Sequence, residues 1–149
     1  LEVQVMEIVF RDTLAGIDCD QLSGGFFDGW PNPPSTSTFL KLLEQSYAIE
    51  LAVDEQTGNV VGFIQAISDG VLSAYIPLLE VLPEYKGQGI GSTLIQRMLH
   101  RLQGLYMIDL LCDPEIQTFY EKHSMQRSTG MSVRHYSNQA GHIGNKQND

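Results

Sequence analysis

Apolar and polar residues change their spacing several times along the chain, and each change marks an element. Val3-Gln4-Val5-Met6-Glu7-Ile8-Val9 alternates loosely and predicts a first strand. Residues 13–22 place Leu14, Ile17 and Leu22 near one helical face, with Gly24-Gly25 as the stop. Phe26-Phe27-Asp28-Gly29-Trp30-Pro31-Asn32-Pro33-Pro34 is aromatic and proline-rich, so it reads as a loop. A short helix over residues 38–45 follows, capped by Ser35 or Ser37 and burying Phe39, Leu42 and Leu43.

From Tyr47 the period shortens to that of strands. Residues 47–53, 60–68 and 72–82 are β-rich runs separated by turns at 54–59 and at Asp69-Gly70, which predicts an antiparallel meander. Residues 89–103 form the strongest helix pattern: Leu94, Ile95, Met98, Leu99 and Leu102 make one stripe, and Gly104 closes it. Residues 105–112 predict a strand, 114–123 a helix opened by Pro114, and 131–136 a last strand. The polar residues 137–149 predict a loose tail after a domain over 1–136. This order predicts a single α/β (α+β) domain with a mixed, mostly antiparallel central sheet flanked by helices.

Composition narrows the classes. A chain of 149 residues suits one domain. A hydrophobic fraction of 42% is too high for a disordered protein. No apolar run approaches the ~18 residues of a membrane helix, so no membrane partner is expected. No basic-then-apolar leader is visible, and Cys19 and Cys112 lie far apart without a CxxC, so a reducing, cytoplasmic setting is expected. The net charge of −9 argues against a nucleic-acid partner. Its distribution adds more. Residues 1–85 carry thirteen acids against only Arg11 and Lys41, whereas the remainder is slightly basic. That asymmetry hints at an anion held by the later half and a cation by the earlier one, or merely at ordinary solvated faces.

The strongest local feature is Val81-Leu82-Pro83-Glu84-Tyr85-Lys86-Gly87-Gln88-Gly89-Ile90-Gly91-Ser92. A strand runs into three glycines at alternate positions, and the amphipathic helix begins there. Converging N–H groups and the partial positive charge of a helix N-terminus suit a phosphate or pyrophosphate. The same glycines also fit a tight strand-to-helix turn without a ligand. A Walker loop would need a lysine after Gly91, and counting from Gly87 the third glycine of a dinucleotide fingerprint falls on Ser92, so both of those motifs are weak here.

Lys86-Gly87-Gln88-Gly89-Ile90-Gly91 resembles the [QR]xxGx[GA] hallmark of the GNAT superfamily of acetyl-CoA-dependent N-acetyltransferases, with lysine in place of the first Gln or Arg. Val81-x-Pro83-x-Tyr85 upstream and Phe119-Tyr120-Glu121-Lys122 downstream also look like that family, and the element order fits over about residues 1–136. The resemblance implies acetyl-CoA as co-substrate, with its pyrophosphate on Gly87, Gln88, Gly89, Ile90, Gly91 and Ser92. Leu79, Glu80 and Val81 would pair with the pantetheine arm along a strand edge opened by a β-bulge. Tyr120 matches the family's general acid, whose phenol near pKa ~10 suits a departing thiol near ~8.5; on pattern alone it is also a half-buried helix tyrosine beside Phe119. Asp113 stands where family members often have Asn against CoA.

Removing the proton from an amine requires a base, for which Glu80 is the first candidate and Tyr75 and Asp69 are weaker ones; Glu80 also fits an ordinary solvated strand position. Phe27 and Trp30 of the aromatic loop, with Tyr75, are expected to wall an acceptor pocket, the alternative being a loop folded back onto the core. His100, His123, His135 and His142 lack ligand spacing, so no metal is expected. Cys112 has no activating partner in sequence, which argues against a thiol nucleophile. The expected function is acetyl transfer to a primary amine of a small molecule or peptide by direct attack in a ternary complex. The rivals are a non-catalytic acyl-CoA sensor on the same fold and a nucleotide-binding module. Dimers are common in the superfamily, and no stretch of the sequence marks an interface.

Overall fold

A computed structural model describes residues 7–142, so residues 3–6 of the expected first strand lie outside the described residues. Among the described residues six strands are present: β1 (Ile8–Arg11), β2 (Ala48–Asp54), β3 (Val60–Ser68), β4 (Ser73–Tyr75), β5 (Leu79–Val81) and β6 (Met107–Asp109). The helices are α1 (Thr36–Glu44), α2 (Ile90–Arg101) and the short α3 (Gln117–Glu121). The sheet runs β1-β2-β3-β4-β6, with β5 pairing β3 beyond β4. All pairings are antiparallel except β4 with β6.

β2 is buried along its whole length and β3 through Ala66, because both faces of the sheet are covered. On one face Gly62 lets α2 approach closely: a Cβ there would lie 3.2 Å from both Ile90 and Leu94. The buried Glu50, which lies opposite Ile64 on that face, accepts from Arg97 Nε at 2.6 Å and Arg101 Nη1 at 3.0 Å and so fixes α2 to β2. On the other face Phe63 meets the rings of Phe26, Phe27 and Phe39. Ser35 caps α1, its Oγ accepting from Thr38 N–H at 3.2 Å.

Four expected elements differ. The helix over 13–22 reduces to a 3-10 turn at Cys19–Leu22, since Gly16 takes φ +77°, outside the helical region. The strand over 72–82 divides into β4 and β5. Between the pairs Ile67↔Tyr75 and Ile64↔Leu79 the chain advances three residues on β3 and four on its partner, a β-bulge centred on Ile76-Pro77-Leu78 where proline offers no N–H. The strand over 105–112 shortens to Met107–Asp109, because it leaves β4 after the bond from Ile76 N–H to Asp109 O at 2.9 Å. Residues 131–136 pair with no strand among the described residues. Their flanks are tied elsewhere, by Arg127 to Glu121 at 3.0 Å and by Asn32 N–H to Gln139 Oε1 at 2.9 Å.

Candidate functional site

The bulge has two consequences. First, β5 keeps β3 on one side while β6 stays with β4, so the far edge of Leu79–Val81 has no strand partner among the described residues. Free N–H and C=O groups there can receive an extended, amide-bearing ligand. Second, the extra residue reverses the alternation of side chains. Tyr75 sits opposite Ile67 and Glu80 opposite Phe63, four residues apart on β3, so both share the face of the aromatic loop. Val81 points to the other face, where its Cγ2 lies 3.9 Å from the Cβ position of Gly91 in α2.

Past β5 the chain makes a 3-10 turn at Pro83–Tyr85 and enters the glycine turn. Gly87 and Gly89 adopt φ +78° and +82°, and a Cβ on either would meet nothing within 4 Å. The first bond closing the helix is Thr93 N–H to Gly89 O, so the N–H groups of Ile90, Gly91 and Ser92 precede the helical ladder. This open, donor-rich turn fits a pyrophosphate. Tyr85 anchors its start by donating to the buried Asp54 at 2.8 Å, which in turn accepts from Gln56 N–H at 2.9 Å. That carboxylate pushes the Tyr85 phenol above its ordinary value. Asp54 lies in an unremarkable acidic turn, and nothing in the sequence singled it out.

Glu80 is half-buried and holds the N–H of Phe27 at 3.0 and 3.3 Å from its two oxygens. Phe27 reaches it by taking φ +67°, an uncommon conformation for a residue with a side chain, while its ring stays in the core at 2% exposure. Phe26 and Phe27 therefore follow the core-capping alternative, and Phe27 offers the site its backbone more than its ring. Burial pushes the Glu80 carboxyl above the usual range, against the pull of Phe27 N–H and Lys86.

Trp30 packs on Phe27, with ring centroids 4.9 Å apart, and lines a cavity of about 230 Å³ with Leu78, Leu42 and Gln139. Tyr75 does not join it. Tyr75 lines a separate cavity of about 1050 Å³ that also holds Tyr120, Cys112 and Asp109. Tyr120 is half-buried, its hydroxyl bonds no group among the described residues, and its phenol is pushed up to about 12, chiefly by burial and then by Cys112. Burial and Asp113 likewise push the Cys112 thiol up, the reverse of what a nucleophilic thiol needs. Asp69 is exposed and engaged within its own turn, accepting from the N–H groups of Val71, Leu72 and Ser73, which lower its carboxyl below the usual range. Three cations of the later half are in ion pairs: Arg97 and Arg101 with Glu50 of the earlier half, and Arg127 with Glu121 of its own half.

Residues 45–124 match the sequence profile of the acetyltransferase (GNAT) domain. The chain belongs to the GNAT acetyltransferases. The GCN5-related N-acetyltransferase 1, chloroplastic, of Arabidopsis thaliana is 30% identical over 115 residues, 75% of this chain and 58% of that protein. The chain thus spans little more than half of that curated relative. A crystal structure from Deinococcus radiodurans R1, assigned to the acetyltransferases, shares 44% identity over 92% of this chain and 94% of its own, with a TM-score of 0.88. A GNAT family acetyltransferase from Streptococcus pneumoniae TIGR4 follows at 26% identity and TM-score 0.70, covering 87% of this chain and 98% of its own. Their GNAT architecture accounts for the mixed, mostly antiparallel sheet found here. No helix among the described residues is long and apolar enough to cross a membrane.

Proposed function

We propose that this GNAT protein transfers the acetyl group of acetyl-CoA to a primary amine of a small molecule or peptide. One observation carries the reading: the glycine turn and the unpaired edge of β5 lie at the two ends of the same 79–92 segment, with the half-buried Glu80 on the face opposite Val81. Gly87, Gln88, Gly89, Ile90, Gly91 and Ser92 would hold the pyrophosphate, and the backbone of Leu79, Glu80 and Val81 the pantetheine arm. Acetyl-CoA supplies an activated acyl group. Glu80, its basicity raised by burial, takes the proton that the amine nitrogen loses as it bonds to the carbonyl carbon. Tyr120, whose hydroxyl bonds no group among the described residues, would donate to the sulfur that departs as the C–S bond breaks.

The acceptor would approach Glu80 on the sheet face it shares with Tyr75, with the cavity of Trp30 and Leu78 and the cavity of Tyr75 as two separate flanking hollows. The acids Asp28, Glu80 and Asp109 on that side favour a cationic amine arriving from solvent. Free Cys19 and Cys112 support a reducing compartment such as the cytoplasm. The test is an acetyl-CoA turnover screen over a panel of polyamines, arylalkylamines and peptides, read as acetylated product by mass spectrometry. Product from at least one amine is expected. Tight CoA binding with no product from any amine would favour the sensor, and competition by ATP but not CoA would favour the nucleotide module.

A further inference from the structure

Beside Glu80 lies a cavity that the proposed chemistry leaves without an occupant. It is the hollow of about 230 Å³ at Trp30, bordered by Phe27, whose N–H Glu80 holds, and by Leu78, two residues before Glu80. That volume falls below the ~300–1,000 Å³ of a pocket for a whole ligand, so it suits one end of a molecule. Four segments build it. The aromatic loop supplies Trp30 and the bulge Leu78, while α1 supplies one face, Thr38, Lys41, Leu42 and Gln45 at helical spacing. Phe39 and Leu43 of the same helix turn into the core instead. The segment 139–142 closes the remaining side. Gln139 accepts from Asn32 N–H at 2.9 Å, and Gly141 packs so closely that a Cβ there would lie 2.8 Å from Thr38 Cγ2.

The lining is one-sided in charge. Trp30, Leu42 and Leu78 make it apolar, and no acid lines it among the described residues. Residues 1–85 carry thirteen acids against two cations, and one of those two, Lys41, stands at this cavity. Lys41 is in no ion pair among the described residues, whereas the other, Arg11, donates to the Ala15 carbonyl. Gln45, one turn after Lys41, and Gln139 add side-chain amides. An apolar wall with one unpaired cation and amide donors fits an apolar group that ends in a carboxylate. The two ends of the site are then opposite in sign, with a carboxyl at Glu80 and an ammonium at Lys41.

We propose that this cavity receives the far end of the acceptor, and that the acceptor is an amino-carboxylic acid whose amine and carboxylate are separated by an apolar body. The amine would meet Glu80, the body Trp30 and Leu78, and the carboxylate Lys41. The role of the amine rests on the acetyl-transfer reading, whereas the affinity of the cavity for a carboxylate can be measured without turnover.

Trp30 is the single tryptophan of the chain, so its emission reports occupancy of the cavity directly. Hexanoate, which has the tail and no amine, should change that emission saturably. 1-Hexanol should bind about tenfold more weakly, the contribution of one hydrogen bond to a charged group. Lys41→Gln, at an exposed helix position, should weaken hexanoate about tenfold and leave hexanol unchanged. Gln139→Glu keeps an oxygen for Asn32 N–H but sets a negative charge in the wall. It should weaken hexanoate selectively too, which a wall that only shapes the cavity would not do. In turnover, 6-aminohexanoate should show a KM about tenfold below that of hexylamine, a difference that Lys41→Gln erases. No hexanoate-specific change in Trp30 emission, or one that Lys41→Gln leaves intact, would overturn the site. Acetylation of both amines with equal KM would overturn the carboxylate assignment and leave acetyl transfer standing. Selective hexanoate binding with no product from any amine would instead overturn the transfer reading, and with it the acceptor role given to this cavity.

Discussion

Tyr120→Phe removes one hydroxyl that bonds no described group, so the apo fold loses no hydrogen bond. The ring contact with Phe119, centroids 4.9 Å apart, survives. Stability should move by no more than about 0.5 kcal/mol, a shift of Tm of roughly 1–2 °C at this chain length. The kinetic cost follows from the pKa. A phenol at about 12 facing a thiolate whose acid form titrates near ~8.5 would transfer its proton uphill by about 3.5 pH units, ~5 kcal/mol. Complete transfer is thus unfavourable, and Tyr120 stabilises the leaving sulfur as a hydrogen-bond donor. A hydrogen bond to a charged group contributes about 1.5–3 kcal/mol, which predicts a loss in kcat of about 10- to 10²-fold rather than the ~10⁴ of the strongest general acids. Thiol release can be followed with a chromogenic disulfide under conditions where chemistry limits turnover. Wild-type kcat in the variant, or a fall in Tm well beyond 2 °C, would refute the argument, and so would an alkaline limb of the wild-type profile near pH 9 that the variant abolishes.

Glu80→Gln keeps an oxygen for Phe27 N–H but removes the base, so kcat should fall about 10²–10⁴-fold. Because the folded carboxyl titrates above its unfolded value, the stability it contributes is present below the unfolded pKa and lost as pH rises through the folded one. Melts at pH 7 should therefore show the glutamine variant at least as stable as wild type, and a lower Tm there would contradict this. Gly89→Val meets no protein atom but is strained at φ +82° and puts a side chain over the turn; calorimetry should register severely weakened acetyl-CoA binding with only a modest fall in Tm. Tyr85→Phe strips one donor from the buried Asp54, so chemical denaturation should report a loss of about 1.5–3 kcal/mol, with weaker acetyl-CoA binding through the loosened turn.

What the sequence made legible was local chemistry. The Ser35 cap, the stripe of α2 and the glycine turn each depend on residues within one or two turns of each other, and the structure places them as their patterns predict. The losses have one cause as well. Gly16 interrupts the apolar period of residues 13–22 without altering it, so the pattern outlasts the helix. The Asp54–Tyr85 bond joins residues 31 apart, and Phe27–Glu80 residues 53 apart, and neither leaves a periodic trace. Residues 131–136 carry a strand pattern but pair with no strand among the described residues, so the pattern identifies the tendency and not the pairing.

The bulge in the 72–82 run makes the same point where function is concerned. Strict alternation would set Tyr75 and Glu80, five residues apart, on opposite faces of the sheet, one of them on the side of α2. One inserted residue at Ile76-Pro77-Leu78 brings both to the face of Trp30 while Val81 stays beneath the glycine turn. It also releases β5 from β6, and so opens an edge between the two faces. A base on one side, a phosphate turn on the other and a free backbone edge between them all follow from that single change of register. Restoring regular pairing by deleting one residue there should therefore misplace Glu80 and close the edge together, a coupled loss that no single side-chain substitution in this region would produce.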